Sequence, residues 1–575
     1  MPVENAEIAR LLREVGDLLE IQEANPFRVR AYRNAARIIE SHPGEVGALA
    51  LTSPSLVEAL PGIGEDLTGK IAEIARTGRL ALLNQLRRET PKGVRAMMSV
   101  PGVGPRKATR LHDALGIRGL SDLERAARAG RLRTLKGFGP KTEARILAEL
   151  GAVQAAATRT LRATAAQYAE PLLAWMRDTP GVRHADLAGS FRRCAETVGD
   201  LDVLVTGTDP AAVVARFVAY PEVKAVMAEG PTRAAIRLRS GLQVDLRVLP
   251  QPSYGSGLYY FTGSKAHNIA VRRMGQERKL KINEYGVFRG NRRIGGATER
   301  EVLDAIGLPW IPPELREDRG EIQAAAAGQL PRLVELADIR GDLQCHTTDS
   351  DGRDTLEVMA RAAEAIGYDY LAVTDHTPAV RVAGGMDRAG FRRQMKRVEA
   401  LNRSLKHLTV LAGAEVDIQR NGRLDLDDDT LKALDFVVVS LHSGLRLGET
   451  EQTTRLRRAL SHPGVDVFGH PSGRLIGRRQ PIAVRWDEIY RVAADHGVIL
   501  EVNGQPERLD LDDVHIRAAI SHGVKLSLGT DAHATAELRF MRWGVDQARR
   551  GWAERDDVVN TLPLAGLRKL LHDQR

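Results

Sequence analysis

Cysteine is nearly absent from this chain: Cys194 and Cys345, far apart in sequence, are the only two among 575 residues. That excludes a disulfide framework and fits a reduced compartment, the cytoplasm. Long apolar runs are missing as well. No stretch reaches the roughly 18 apolar residues that a membrane span needs. The N-terminal MPVENAEIARLLREV is charged and amphipathic, unlike a signal peptide. What is present is ordinary for a folded chain, with 43% hydrophobic and 27% charged residues, at a length that calls for several hydrophobic cores. A formal net charge of +9 favours polyanionic partners, although Arg-rich enzymes of other kinds share it.

The pattern changes along the chain. Residues 1–150 read as helices separated by short Gly/Pro turns. From 160 to 310 the pattern is mixed, with strand-like runs LDVLV (201–205) and VDLRV (244–248). The stretch 311–335, proline at both ends and alanine-rich between, reads as a partly helical linker. After 340, short apolar strands alternate with helices, the signature of a parallel α/β domain, and 11 of the 15 histidines fall there.

One motif recurs in the helical part: LPGIG (60–64), VPGVG (100–104) and LKGFG (135–139). The glycine pairs Gly62/Gly64, Gly102/Gly104 and Gly137/Gly139 let the backbone approach a ligand closely. The helix start that follows, expected to be cationic, offers N–H groups and a positive dipole to phosphate. One such turn would be only a tight interhelical connection. Three of them are helix-hairpin-helix signatures that grip a DNA backbone without reading bases. Lys70, on the helix after the first hairpin, is either a phosphate-binding lysine or a nucleophile able to form a Schiff base with an abasic-site sugar.

The segment AGSFRRCAETVGDLDVLV (188–205) concentrates chemistry. Gly189-Ser190 opens a short helix whose N-terminus can hold triphosphate oxygens, with Arg192 and Arg193 adding positive charge. Asp200 and Asp202 fall on one face of a strand, about 7 Å apart. Asp245, inside the apolar run GLQVDLRVL, supplies a third carboxylate whose burial a shared metal site would explain. Three carboxylates around two Mg2+ (or Mn2+) ions suit phosphoryl transfer. Alone, G-S plus D-x-D marks any nucleotidyltransferase, including tRNA-adding and antibiotic-modifying enzymes.

GSFRRCAETVGDLDVLV closely resembles the palm motif of the DNA polymerase beta family, family X. YYFTGSKAHN (259–268) and KINEYGVF (281–288) resemble its nucleotide-binding segments. The resemblance implies that Asp200, Asp202 and Asp245 are the catalytic metal-binding triad and that Gly189, Ser190 and Arg193 hold the β- and γ-phosphates. It implies that Tyr260, Phe261 and Gly263 line the sugar pocket and that Asn268 contacts the nascent base pair. Arg272 and Tyr285 then contact template or close the pocket. NPFRVRAYRNAARII (25–39) and LPGIGEDLTGKIAEIARTG (60–78) resemble the family's deoxyribose-phosphate lyase domain, with Lys70 at the Schiff-base position and Tyr32 and Arg28 in support. Four positions depart: Phe27 for a histidine, Asp66 for a phosphate-binding lysine, Lys265 for an acidic residue near the base, and Gln243 for an arginine beside Asp245.

In the C-terminal part, seven strand candidates each end in His, Asp, Glu or Asn: RGDLQCHTTDSDG, YDYLAVTDH, LTVLAGAEVD, FVVVSLHSG, VDVFGHP, GVILEVNG and VKLSLGTDAH. In a parallel barrel such ends converge on one face, and this donor set suits Zn2+ or Mn2+. The pattern resembles the PHP (polymerase and histidinol phosphatase) family, a distorted seven-stranded barrel with up to three metals. Its ligands would be His346, Asp351, His376, Glu415, His442, His470, Asp531 and His533, with Glu415 and Asp531 bridging. The family's opening H-x-H is Gln344-Cys345-His346 here, which implies either one loosely held metal or a preference for a different metal.

The expected fold is multidomain, α+β and α/β. It comprises a lyase-like helical domain (1–90), a helix-hairpin-helix connector (91–155), a nucleotidyltransferase palm (156–250), a nucleotide-selecting subdomain (251–315), a linker (316–336) and a PHP barrel (337–575). The expected activity is template-directed filling of short DNA gaps in base-excision or end-joining repair, with 3′→5′ exonuclease and lyase activities beside it. Partners are gapped or nicked DNA and deoxynucleoside triphosphates, with no membrane, and the chain is expected to act as a monomer. Histidinol phosphate as the barrel's substrate, a phosphatase with a vestigial polymerase half, and a DNA-end scaffold are the alternatives.

Overall fold

The computed structural model describes residues 5–22, 24–41, 46–60, 62–98, 100, 103–135, 137–157, 159–380 and 383–574. The chain divides into two units, Met1–Thr158 and Arg159–Arg575.

The first unit is helical. Its opening helix, Asn5–Ile21, carries Ile8, Leu11, Leu12, Val15, Leu18 and Leu19 at helical spacing, and all six are buried. They pack with Tyr32, Ile39, Ile71 and Ile74 from helices Pro26–Ser41 and Glu65–Thr77. Gly78, in the left-handed region at φ 66°, ends the latter helix as only glycine does cheaply. A second core gathers Met97, Leu111, Phe138 and Ile146 from the helices between Lys92 and Ala157.

In the second unit, strands β1 (Val182–Leu187), β2 (Asp200–Gly207), β3 (Val223–Gly230), β4 (Arg233–Leu238) and β5 (Gln243–Val248) form a mixed sheet in the order β1-β2-β5-β4-β3. Only β2 and β5 run parallel. Alternation sends Leu201, Val203, Val205, Val244 and Leu246 into the core beneath helices Arg162–Arg177 and Pro210–Val218. The opposite phase leaves Asp200, Asp202 and Asp245 on the other face.

Helices Tyr254–Thr262 and Lys265–Glu277 follow, with a three-stranded antiparallel sheet between Lys281 and Gly295. Their core takes in Ile322, Ala325 and Leu333 from the stretch read as a linker. That stretch is packed. Arg316 is fully buried and pairs with Glu299 at 2.8 Å, while Glu321 accepts from His267 Nδ1 at 2.6 Å. Two of its charged residues, Arg316 and Glu321, sit in buried ion pairs, while Asp318, Arg319 and Arg332 face solvent.

Beyond it, β6 (Gly341–Cys345), β7 (Tyr370–Val373), β8 (Thr409–Asp417), β9 (Phe436–Ser440), β10 (Val467–Phe468), β11 (Ile499–Asn503) and β12 (Leu526–Gly529) form one parallel sheet in sequence order. A parallel bridge between Cys345 and Ala532 brings its edges together into a nearly closed barrel. These strands are apolar on both faces because helices cover the outside and side chains fill the inside. Asp and Thr side chains cap several of the covering helices: Thr355 accepts from Val358, Asp387 from Gly390 and Asp512 from His515.

Candidate active sites in the palm and the barrel

The register of β2 and β5 sets Asp202 directly opposite Asp245, with Asp200 two residues away on the same face. Burial, then the charges of Asp200 and Asp245, push Asp202 up to about 7, and burial and Asp245 also raise Asp200. Three carboxylates brought together in this way are a candidate cation site. Gln243 takes the arginine's usual place and donates to both oxygens of Asp245, at 3.2 and 3.3 Å. The departure therefore still orients the aspartate.

Gly189 opens the four-residue helix Gly189–Arg192 at φ 61°. A Cβ there would lie 2.3 Å from Asp202 Oδ2, so the turn can approach the carboxylate only as glycine. Ser190 is half-buried beside it. The Arg193 guanidinium reaches the Thr262 carbonyl at 2.6 Å and Glu317 at 3.0 Å, whereas Arg192 forms a paired contact with Glu299. Tyr260 and Phe261 meet edge to face at 5.3 Å, and Asn268 is tied to the Tyr260 carbonyl at 2.7 Å. Gly263 follows at φ 73°. Arg272, Lys265 and Tyr285 are exposed.

In the helical unit, Gly64 and Gly104 stand at helix N-caps with no side chain capping them, and Gly139 precedes the helix that begins at Pro140. Space around Gly62, Gly64, Gly104 and Gly139 is open. Gly137 adopts φ 92°, while Gly102 lies outside the described residues. The first of these helices opens on Glu65 and Asp66, so the cationic start expected there is absent; the second opens with Arg106 and Lys107. Asp66 pairs with Lys70, which also lies 5.9 Å from the ring of buried Tyr32. That ammonium–carboxylate pair must open before the amine can attack a carbonyl. Arg28 and Phe27 are exposed.

Every barrel strand delivers a polar group to one end. Glu415, fully enclosed, lies at the centre: its oxygens stand 2.9 Å from His470 Nε2, 3.3 Å from His442 Nε2, 3.2 Å from His376 Nδ1 and 3.5 Å from His346 Nε2. Asp531 faces His346 at 3.1 Å, and Asp351 faces His533 at 3.4 Å and His376 at 3.6 Å. All eight expected ligands are thus brought together. Seven of them form three overlapping clusters at metal-ligand spacing, His346/Asp351/His376/His533, His376/Glu415/His442 and His346/Glu415/Asp531, and His470 stands beside these on Glu415. Burial penalises charge throughout, yet Glu415 and Asp417 carry His442 up to about 10, and Asp351 and Asp531 do the same for His533. Burial works against Glu415 and Asp531 also, but the surrounding imidazoles hold both well below the ordinary range.

The donor set fits metal. Both ring nitrogens of His346, Nδ1 of His376 and His470, and Nε2 of His442 are buried without a hydrogen-bond partner. Such atoms are costly unless an ion uses them. Gln344 fits less well. With its amide oriented to satisfy its surroundings, the nitrogen donates to Glu501 at the wall of the His346/Glu415/Asp531 cluster.

Several supporting residues escaped the sequence reading. Asp375 accepts from Thr347, Ser350 and Gln394 and so shapes the loop presenting Asp351. Asp342 accepts from Thr530 beside Asp531, and Asp417 orients His442 Nδ1 at 3.2 Å. Arg508 is the cation at the cluster, 3.7 Å from Asp531. The first and third had a visible signal, since Asp375 and Asp417 end strand runs. Asp342 and Arg508 had none.

Comparison with known proteins follows this geometry. Residues 3–80 match a helix-hairpin-helix domain, 94–152 a SAM-like helix-hairpin-helix tandem, 257–317 the DNA polymerase beta thumb and 342–505 the PHP domain. The Bacillus subtilis protein named DNA polymerase/3′-5′ exonuclease PolX is 35% identical over 98% of this chain and 99% of its own length. DNA polymerase lambda of Arabidopsis thaliana is 28% identical over 54% of the chain and 62% of its own length. A Thermoanaerobacter protein named as a probable phosphatase is 27% identical over 38% of the chain and 89% of its own length. With palm, thumb, hairpins and histidine-lined barrel in one polypeptide, the chain belongs to the PolX family, the family X DNA polymerases that carry a C-terminal PHP domain.

Proposed function

We propose that this polymerase fills short gaps in DNA during base-excision or end-joining repair and trims 3′ ends in its barrel. The observation that carries the reading is the pairing of Asp202 with Asp245 across parallel strands, with Asp200 on the same face. Mg2+ or Mn2+, when bound by these three carboxylates, would activate the primer hydroxyl and neutralise the triphosphate. Asp245, steadied by Gln243, accepts the primer 3′-hydroxyl proton. The Gly189 turn, Ser190 and Arg193 hold the β- and γ-phosphates. Tyr260, Phe261 and Gly263 contact the sugar, Asn268 the new base pair, and Arg272 and Tyr285 the template side. The hairpin glycines and the helix starts behind them hold DNA backbone phosphates. In this reading the division into lyase-like, hairpin, palm, nucleotide-selecting and PHP regions follows the boundaries expected from sequence.

In the barrel the eight ligands would hold Zn2+ or Mn2+, which would supply a hydroxide able to attack a phosphodiester. Glu415 and Asp531 would each offer two oxygens to the ions. Arg508 steadies the negative charge that builds on the attacked phosphate. The 3′-5′ exonuclease in the B. subtilis relative's name and the probable phosphatase that the barrel resembles support this reading. Lys70 is the candidate lyase nucleophile, working once Asp66 releases it. The protein acts as a cytoplasmic monomer on gapped or nicked DNA.

Primer extension on one-nucleotide-gapped DNA tests the assignment. Wild type should extend and Asp200→Ala should not; equal extension by both would remove the palm assignment. His533→Ala should lose 3′-end degradation while still extending. Borohydride should trap wild type, and not Lys70→Ala, on an incised abasic site; no adduct in wild type would remove the lyase reading.

A further inference from the structure

The loop between the triphosphate turn and the catalytic strand, residues 193–196, is gripped by the phosphoesterase domain. Arg550, the last residue of helix Met541–Arg550, donates to the Arg193 carbonyl at 2.6 Å and to Glu317 at 3.1 Å, and its other nitrogen reaches Asp513 at 2.6 Å. Glu317 is the carboxylate that also takes the Arg193 guanidinium, at 3.0 Å. Three residues on, Glu196 accepts from Arg474 and from Gln547 at 2.9 Å. Arg162, beneath this loop, pairs with Asp546 and lies 4.6 Å from the Trp543 ring. Arg550 and Arg162 have only 7% and 6% of their side chains exposed, so these are enclosed contacts rather than surface pairs.

We propose that Arg550 of the phosphoesterase domain is a positioning residue for the polymerase, keeping Glu317 from neutralising Arg193 and so leaving that guanidinium available to the incoming triphosphate. This rests on the reading of Arg193 as a phosphate-binding residue. A carboxylate shared between two arginines leaves positive charge at the turn; a carboxylate private to Arg193 competes with the triphosphate for the same donors. The Arg550 bond to the Arg193 carbonyl also fixes the backbone from which that side chain projects. A lysine at 550 keeps its charge, but its donors sit on one nitrogen, which cannot span the Arg193 carbonyl, Glu317 and Asp513 together.

The test is steady-state gap filling by the full chain, with KM for the deoxynucleotide and kcat read separately. Arg550→Met should raise KM by about tenfold with kcat little changed. Arg550→Lys should fall between it and wild type. Glu317→Gln added to Arg550→Met should return KM toward wild type, because the competing charge is gone. An unchanged KM in Arg550→Met, or a double variant no better than the single, would overturn the proposal. If Arg550→Met fails to fold, as judged by melting and 3′-end degradation, Arg550→Lys alone and with Glu317→Gln is read by the same criteria. Arg193→Ala runs alongside: if it leaves KM unchanged, the reading of Arg193 fails instead.

Discussion

The candidate palm and barrel sites, read as cation sites for phosphoryl chemistry, are prepared in opposite ways. In the palm, three carboxylates share one sheet face, and burial, then the like charges, push Asp202 up to about 7. In the barrel, Glu415 and Asp531 lie among histidines, and acid and base offset each other. On the proposed reading, the palm gains its cations together with an anionic nucleotide, and the barrel is a standing cage. The difference follows from ligand type, since imidazoles can neutralise a buried carboxylate before metal arrives and another carboxylate cannot.

The sharpest way to break the comparison is to remove one carboxylate from the palm. Asp202→Ala should cut gap filling by on the order of 10⁴-fold while 3′-end degradation persists, read on one labelled substrate. Gly189→Ala should approach that loss while leaving all three aspartates in the sequence, because the new Cβ collides with the Asp202 carboxylate.

Next in size is a stability effect. Glu299 serves both Arg192 and fully buried Arg316, so Glu299→Ala should cost about 3–5 kcal/mol in denaturant titration by stranding a buried charge. Burial works against the Glu299 charge, but the two arginines hold it below the ordinary carboxylate range. Its stabilisation is accordingly complete above that range and is lost as pH falls through the lowered value.

Within the barrel, Gln344→His should restore a donor to the His346/Glu415/Asp531 cluster. Elemental analysis should find about one more ion per chain, or about tenfold tighter binding there. The smallest effect concerns protons. His442 and His533 stand near 10 without metal, so loading must displace protons from them and weaken as pH falls. Calorimetry in two buffers of different ionisation enthalpy should register that release at neutral pH.

Much of both sites was legible in the chain. Alternation in LDVLV and VDLRV put three aspartates on one face, and seven strand endings marked one rim of the barrel. Those signals are local, a period of two and a repeated strand-end position. Composition misled at 316–336, where Arg316 and Glu321 are buried because their partners lie at Glu299 and His267. It also hid Arg550, whose contact with Arg193 spans 357 positions. Partnership across such a distance leaves no mark in either segment.

Metal content separates a standing cage from a site filled with its substrate. Full-length protein loaded with Zn2+ or Mn2+ and dialysed without nucleotide should retain ions that Glu415→Ala loses and Asp202→Ala keeps. Ions lost on Asp202→Ala and retained on Glu415→Ala would contradict the account.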